Sequence, residues 1–258
     1  MALIDERTPF NVDMLAADVI GIAARVGRHD SGMHQHQKAQ LLYAPQGCMT
    51  ITLDGMRCVL PPTRAAWIPA AVEHCAEMRQ VVEYRSLYFA PHLTAHLENR
   101  VKIIEVTPLL QALIERMSFW CWDKPNAEMQ NTHALFFEEL ALAREKRLVL
   151  SMPTDRRLTT WLASLVEGEG IAPLLNVLSE QVGASSKTIS RIFIKETGMS
   201  YQDWRQQWRL QQAILRLAGG SQVNDVAYQL GFSSDSAFIA FFKQQTGKTP
   251  RQYCHAGG

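Results

Sequence analysis

The stretch Val223–Gly247, VNDVAYQLGFSSDSAFIAFFKQQTG, repeats the pattern of Leu174–Gly198, LLNVLSEQVGASSKTISRIFIKETG. Sliding one onto the other pairs Ile189 with Phe238, Phe193 with Phe242, Thr197 with Thr246 and Gly198 with Gly247. The register continues without a gap to Ser200 with Thr249 and Trp204 with Tyr253. Each stretch reads as helix, tight turn, helix. In the first, Val177, Leu178 and Val182 can pack on Ile189, Ile192 and Phe193 across the Gly183-Ala184-Ser185 turn, with Ser185 capping the second helix. That burial turns Ser186, Lys187, Ser190 and Arg191 outward. In the second, Val226, Leu230 and Phe232 pack on Phe238, Phe241 and Phe242, and Asp235, Ser236, Ile239, Ala240 and Lys243 face out.

Such outward faces suit the major groove of duplex DNA. Arg and Lys meet guanine O6 and N7, Ser serves several bases, and apolar side chains touch thymine methyls. The second face is less polar and less basic than the first. More base discrimination is therefore expected from the first unit and more positioning from the second. The candidate DNA-binding set is Ser185, Ser186, Lys187, Ser190 and Arg191, then Ser234, Asp235, Ser236, Ile239, Ala240 and Lys243. Between the units, Tyr201–Ala218 is free of Gly and Pro and helical in period, and Gly219-Gly220 ends it. About 18 residues at ~1.5 Å each make a rod of roughly 27 Å. One turn of B-DNA is ~34 Å, so such a rod can hold two helices in successive grooves. The competing reading is a helical bundle that binds protein.

The remainder of the chain bounds this reading. Its 258 residues suffice for two ordinary domains. The hydrophobic fraction of 47% is that of a globular protein, and no apolar run is long enough to span a bilayer. The N-terminus, MALIDERTPFNVD, has mixed charges and no apolar stretch, unlike a secretory signal. Five scattered cysteines (Cys48, Cys58, Cys75, Cys121, Cys254) argue against a disulfide framework or a CxxC zinc site and favour a reducing cytoplasm. Residues 1–150 hold 15 basic and 17 acidic residues, a net of −2; residues 151–258 hold 11 and 8, a net of +3. The sign suits a C-terminal nucleic-acid binder, but the size alone would not suggest one.

Residues 20–90 read as β. Short apolar runs (Leu41-Leu42-Tyr43, Met49–Leu53, Cys58-Val59-Leu60, Ser86–Phe89) are separated by turn signals, among them Asp54-Gly55, a strong hairpin signal. A barrel or sandwich is expected. Trp67, Tyr43, Tyr88 and Phe89 read as its core. Residues 107–148 change to a helical period, with a stripe of Leu109, Leu113, Met117 and Trp120 widened by Leu110 and Ile114. A second stretch, Glu128–Arg147, carries Phe136, Leu140 and Arg144, with Leu135 and Leu142 nearby. These helices serve either as cover for the β domain or as a dimer seam. Ser151–Thr154 reads as a link, Gly168 and Gly170 stop the helix after it, and Pro173 suits the first turn of the next. The expected fold is therefore α+β and multi-domain: a β-barrel over residues 1–106, a helical dimerisation or linker region over 107–150, and an all-α domain over 151–258. Within the last, the helix-turn-helix units fall at about 174–195 and 222–245 around a linker helix at 201–218.

The string from Leu178 to Tyr253 resembles the DNA-binding domain of AraC/XylS-type transcription regulators. The closest part is Val226-Ala227, Leu230-Gly231-Phe232-Ser233-Ser234, Phe238, Phe241-Phe242-Lys243, Thr246-Gly247, Thr249-Pro250 and Tyr253, and Arg209-Leu210 and Ala213 fit the linker-helix pattern. The resemblance implies seven helices and two helix-turn-helix units joined by a long one. It places the base-reading positions on Lys187, Ser190 and Arg191, then on Asp235, Ser236, Ile239 and Ala240. Many members carry Arg where this chain has Ala240. Its expected partners are double-stranded promoter DNA, a small-molecule effector, RNA polymerase and a second copy of the chain, in a bacterial cytoplasm at the nucleoid and not at a membrane.

The N-terminal half resembles a cupin barrel. His34-Gln35-His36 is followed after three residues by Gln40, then Gly47, Gly55, Pro61 and WIPAAVEH ending at His74. His34 and His36, at i and i+2, share a strand face. His34, His36, Gln40 and His74 thus make a candidate effector pocket or an N/O site for a divalent metal. Metal-binding cupins usually carry Glu at the Gln40 position, and Gln is a neutral, weaker ligand. Four readings stand: a metal-free ligand sensor, a metal-assisted sensor, a metal-dependent cupin enzyme with a helical accessory domain, or histidines that merely hydrogen-bond strand ends. The first is preferred, because no catalytic constellation accompanies the histidines. In the DNA-reading half, Arg191→Ala is expected to weaken specific binding by about 1–3 kcal/mol and to relax one base position in a gel-shift series. Unchanged specificity would remove Arg191 from the reading face.

Overall fold

The computed structural model describes residues 11–53, 55–145, 149–168 and 170–255. Asp54 of the expected hairpin turn, Arg147 at the expected end of the second helix, and residues 1–10 lie outside the described residues. The chain divides into two compact units. Described residues up to 52 and from 60 to 145 form the first, and those from 53 to 59 and from 149 to 255 the second.

The first unit is built on strands β1 (Val19–Val26), β2 (His29–Asp30), β3 (Ala39–Gln46) and β4 (Met49–Leu53). In chain order β5 (Met56–Leu60), which but for Leu60 belongs to the second unit, comes next, and the first unit continues with β6 (Arg64–Ile68), β7 (His74–Met78), β8 (Val82–Phe89) and β9 (Lys102–Glu105). One antiparallel sheet has the order β1-β8-β3-β6-β9, and β2 pairs with β7, which lies beside β4. Strands β1, β3 and β8 are almost wholly buried, because both of their faces are covered. One face carries Leu41, Tyr43, Trp67, Leu87 and Phe89, which pack on helices α2 (Pro108–Ser118) and α3 (Asn126–Leu142). Chain order between β8 and β9 also includes the short helix α1 (Pro91–Thr94). The opposite face looks into a cavity.

Helices α2 and α3 therefore serve as cover within the unit. Leu110, Leu113, Ile114 and Met117 are buried, as are Met129, Phe136 and Leu140. Thr107 caps α2 by accepting from the Leu110 N–H at 3.1 Å. Two expectations are corrected. Leu109 is exposed, because the buried stripe is centred on Leu110 and Ile114. Helix α3 stops at Leu142, five residues before Arg147, since Ala143 takes an extended conformation.

In the second unit, β10 (Val149–Ser151) pairs antiparallel with β5. The link read at Ser151–Thr154 is thus shorter: Ser151 closes a strand, and the Met152 N–H donates to Gly55 O at 2.7 Å. Seven helices follow among the described residues: α4 (Thr159–Gly168), α5 (Leu175–Val182), α6 (Ser186–Thr197), α7 (Tyr201–Ala218), α8 (Val223–Gln229), α9 (Asp235–Thr246) and α10 (Pro250–His255). Pro173 lies before the α5 cap, Leu174, and outside the helix. Helix α7 carries the unit. Trp204 and Trp208 stack at 5.7 Å, and their indole N–H groups donate to Ser151 O and Gly170 O. Nearer its C-terminal end, the buried Arg209 guanidinium lies 3.9 Å from the Phe232 ring centroid and donates to Leu230 O at 2.7 Å. Burial lowers its pKa to about 10, and Arg205 adds to this, so it remains charged.

Two substitutions test these joints. A Cβ on Gly21 of β1 would lie 2.0 Å from Met117 O, so α2 approaches the sheet as closely as backbone allows. Gly21→Ala is expected to cost on the order of 3 kcal/mol, read as a lowered thermal midpoint of the first unit. Arg209→Met removes a charged donor from a buried carbonyl and a cation from over a ring, a loss of about 2 kcal/mol. Hydrogen exchange should then quicken in α8 and α9 and stay unchanged in α5 and α6; uniform acceleration would refute a local role.

Candidate functional site

The two repeats fold alike, down to their caps. Helices α6 and α9 each have 12 residues. Ser185 and Ser234, equivalent in the register, accept from Thr188 N and Ala237 N, both at 3.2 Å. Gly198 and Gly247 end the helices at φ 72° and 78°, left-handed values that glycine adopts without strain. The Thr197 and Thr246 hydroxyls donate back to Phe193 O and Phe242 O. Ile189, Phe193, Phe238 and Phe242 are fully buried. The correspondence runs past the turn: Phe193 meets Trp204 of α7 at 5.2 Å, and Phe242 meets Tyr253 of α10 at 5.3 Å.

With those rings buried, the faces opposite them are determined. On α6, Lys187 and Arg191 are exposed, one turn apart. The serines beside them are engaged locally. Ser185 is the cap, Ser186 Oγ donates to Ser179 Oγ at 3.3 Å, and Ser190 Oγ to Ser186 O at 2.8 Å. Ile194 and Lys195, both exposed, extend this face by a turn. The sequence reading omitted them, although the i, i+3, i+4, i+7 spacing from Lys187 includes Ile194. On α9, Asp235, Ser236, Ala240 and Lys243 are exposed and Ile239 is half-buried. Equivalent positions carry different chemistry: Lys187 matches Ser236, Ser190 matches Ile239, Arg191 matches Ala240 and Ile194 matches Lys243. Cations thus begin the first face and end the second, where an acid, Asp235, stands at the start.

In the first unit, a cavity of about 560 Å³ opens on the sheet face turned away from α2 and α3. Alternate residues line it: Ile22 and Ala24 from β1, Leu42 from β3, Ala76 and Met78 from β7. Its polar end gathers the predicted His34, His36, Gln40 and His74, together with Tyr88. Tyr88 is buried as a core residue is expected to be, beside Ile20 and Ile22, and it lines the cavity as well. It neighbours Phe89, so it points to the opposite face, and Tyr84-Ser86-Tyr88 at period two was the available signal. His34 and His74 are brought together by reciprocal backbone hydrogen bonds of 2.9 Å, and their rings lie 4.5 Å apart.

Hydrogen-bond counting assigns the protons at this end. Each Nδ1 meets a backbone carbonyl: His34 with Gly32 O at 3.0 Å, His36 with Lys38 O, and His74 with Val72 O at 2.8 Å. Burial holds His36 below the usual imidazole range and His74 at about 4, so both are neutral at pH 7 and have one N–H each. That N–H is spent on the carbonyl, which leaves the Nε2 lone pairs facing inward. Gln40 lies 3.1 and 2.9 Å from the Nε2 atoms of His36 and His74 through Oε1, and 2.9 and 2.8 Å from Ser86 Oγ and Tyr88 OH through Nε2. An oxygen facing two lone pairs satisfies neither ring. Turned end for end, the amide donates to both imidazoles and its oxygen accepts from both hydroxyls, so every group is satisfied. The histidine ligand atoms lie within 4.8 Å of one another, close enough to hold a cation. Gln40 supplies no negative charge to such an ion.

Residues 178–256 match the helix-turn-helix domain family, and residues 16–143 match the AraC-like ligand binding domain. The HTH-type transcriptional regulator NimR of Escherichia coli (strain K12) is 29% identical over 239 residues, covering 92% of this chain and 87% of NimR. RipA of Corynebacterium glutamicum, also an HTH-type transcriptional regulator, is 30% identical over 102 residues, 40% of this chain and 31% of RipA. Among solved structures, ToxT from Vibrio cholerae covers 92% of this chain and 98% of its own at 12% identity, with a TM-score of 0.37, a likeness too slight to bear on function. With a ligand-binding domain ahead of two capped helix-turn-helix units, and a regulator matched along nine-tenths of its length, the chain belongs to the AraC family of DNA-binding transcription regulators and is not an enzyme.

Proposed function

We propose that the chain reads promoter DNA through α6 and α9 in successive major grooves, and that a small effector in the first unit's cavity modulates that binding. The observation that carries the reading is the equivalence of α6 and α9: same length, same caps, same buried rings, with opposite faces left to solvent. Helix α7, 18 residues or roughly 27 Å, suits the ~34 Å between grooves. Base discrimination is weighted toward α6, where Lys187 and Arg191 can meet guanine. The second unit contributes phosphate contact from Lys243 and apolar contact from Ile239 and Ala240. Ser185 and Ser234 act by holding the helix starts, so their contribution to DNA is positional.

Other partners follow on weaker supports. Leu135 and Leu142 of α3 and Leu109 of α2 are exposed, which favours a homodimer seam there. RNA polymerase is the expected partner at an occupied promoter. Among the described residues no helix is long and apolar enough to cross a membrane, in keeping with a place in the cytoplasm on the nucleoid.

Gel shifts with the gene's own upstream region test the reading. A specific shift that survives moderate salt is expected, since nonspecific binding fades steeply there. Lys187→Ala should flatten the plot of log affinity against log salt by about one unit if Lys187 holds a phosphate, whereas base changes under α6 should cost more than those under α9. Equal sensitivity at the two half-sites would refute the weighting. A monomer by light scattering at micromolar concentration would remove the seam.

A further inference from the structure

The polar end of the cavity has spent its donors. His34, His36 and His74 each turn Nδ1 to a carbonyl, and Gln40, with its amide turned end for end as assigned above, gives two N–H to His36 and His74. In that orientation the Gln40 oxygen is the acceptor for the Ser86 and Tyr88 hydroxyls, and the Tyr84 hydroxyl is hydrogen-bonded with Ser86 and Tyr88. What is left at that end is the second ring nitrogen of His34, Nε2, with hydroxyl oxygens beside it, while Asn11, His29 and Gln35 also line the cavity. Charge is equally one-sided. Among the described residues, no Lys or Arg lines the cavity, and its one carboxylate is Asp30, which accepts from the Cys75 thiol at 3.0 Å and the Gly32 N–H at 2.9 Å. The walls are apolar, and the volume of about 560 Å³ is that of a drug-sized pocket.

Resting on the ligand-sensing role above, we propose that this cavity takes an uncharged molecule with an apolar body and an O–H or N–H donor, which His34 Nε2 accepts. The donor is the discriminating feature. A body without one leaves a half-buried lone pair unpaired as water is displaced, and a pocket built around a hydrogen bond rejects such analogues strongly. A carboxylate finds no Lys or Arg among the described lining residues. A divalent cation among the three histidines would meet only the neutral Gln40 oxygen and no counter-charge at that end, so the organic occupant is favoured.

Three probes sharing one body separate the cases by calorimetry on the full-length protein. They are 2-naphthol (neutral donor), 2-methoxynaphthalene (no donor) and 2-naphthoate (anion). The expected result is binding of 2-naphthol, at least about tenfold tighter than the other two. His34→Ala should lose that tenfold, and His34→Gln, whose amide oxygen can accept, should keep most of it. The backbone bridge between His34 and His74 does not involve the side chain, and unchanged melting of both variants checks that they fold. Naphthoate binding as tightly as naphthol, or naphthol binding unaltered by His34→Ala, would overturn the proposal. So would stoichiometric metal retained by the three histidines after purification. If no probe binds while the protein still shifts its promoter fragment, the ligand class fails and the regulator stands. If naphthol binds as expected but no promoter shifts, the failure belongs to the DNA reading.

Discussion

The burial of one phenylalanine ring in each repeat, Phe193 in α6 and Phe242 in α9, is the constraint from which the DNA-reading half follows. A helix that buries a ring at one position has its opposite face determined to within a fraction of a turn. Full burial of such a ring contributes about 1.5–3 kcal/mol, and aromatic neighbours at 4.9–5.8 Å add to it. The serine caps set where each helix begins, and the glycines after Thr197 and Thr246 set where it ends. Rotation and both ends being fixed, the side chains at Lys187 and Arg191 have no freedom beyond their own rotamers. The same scaffold at equivalent positions of α9 displays Ser236 and Ala240. Scaffold and reading face are thus separable, and only the first is repeated.

The two units are also supported differently. The first is held by indole stacking on α7, with Trp204 anchored to the Ser151 carbonyl at the end of β10 and Trp208 to the Gly170 carbonyl after α4. The second lacks such bulk and leans on one charged group, Arg209, between the Phe232 ring and Leu230 O. Its turn is longer, and Phe232 fills the extra space against Phe238 and Phe241. A guanidinium depends on good geometry, because a buried charge that loses its partner is costly. The α8–α9 pair is therefore the more easily loosened.

The helical half was legible because its signals are local. Period, caps and terminal glycines act within a few residues, so the limits of α7 and the capping role of Ser185 follow from reading along the chain. Whatever needed pairing across the chain was less visible. Strand β10 exists because Val149–Ser151 finds β5 about ninety residues earlier, and nothing within Ser151–Thr154 announces it. The stripe of α2 was displaced by one residue, since Leu109 and Leu110 are chemically equal and only the sheet beneath selects between them. In the pocket, the histidines and Gln40 were found from spacing. Tyr88 was read as core, which it is, but its place in the cavity lining was not visible, because on a strand covered on both sides hydrophobicity does not mark the direction.

Gln40 shows how a neutral residue alters what a three-histidine cluster is for. A carboxylate in its place would accept and could not donate, so the inward lone pairs of His36 and His74 would face a negative charge, a set stable only around a cation or a proton. An amide has two donors on one side and an acceptor on the other. With the amide turned end for end, its donors match the two imidazoles and its acceptor matches two hydroxyls, so the cluster closes on itself. His34 is outside that closure. Its ring is oriented by Gly32 O, but its Nε2 faces the cavity with the network behind it already satisfied. One unpaired acceptor in an otherwise complete network is a specific reader, because a ligand gains by supplying the single donor that is missing and gains little from any other polar group.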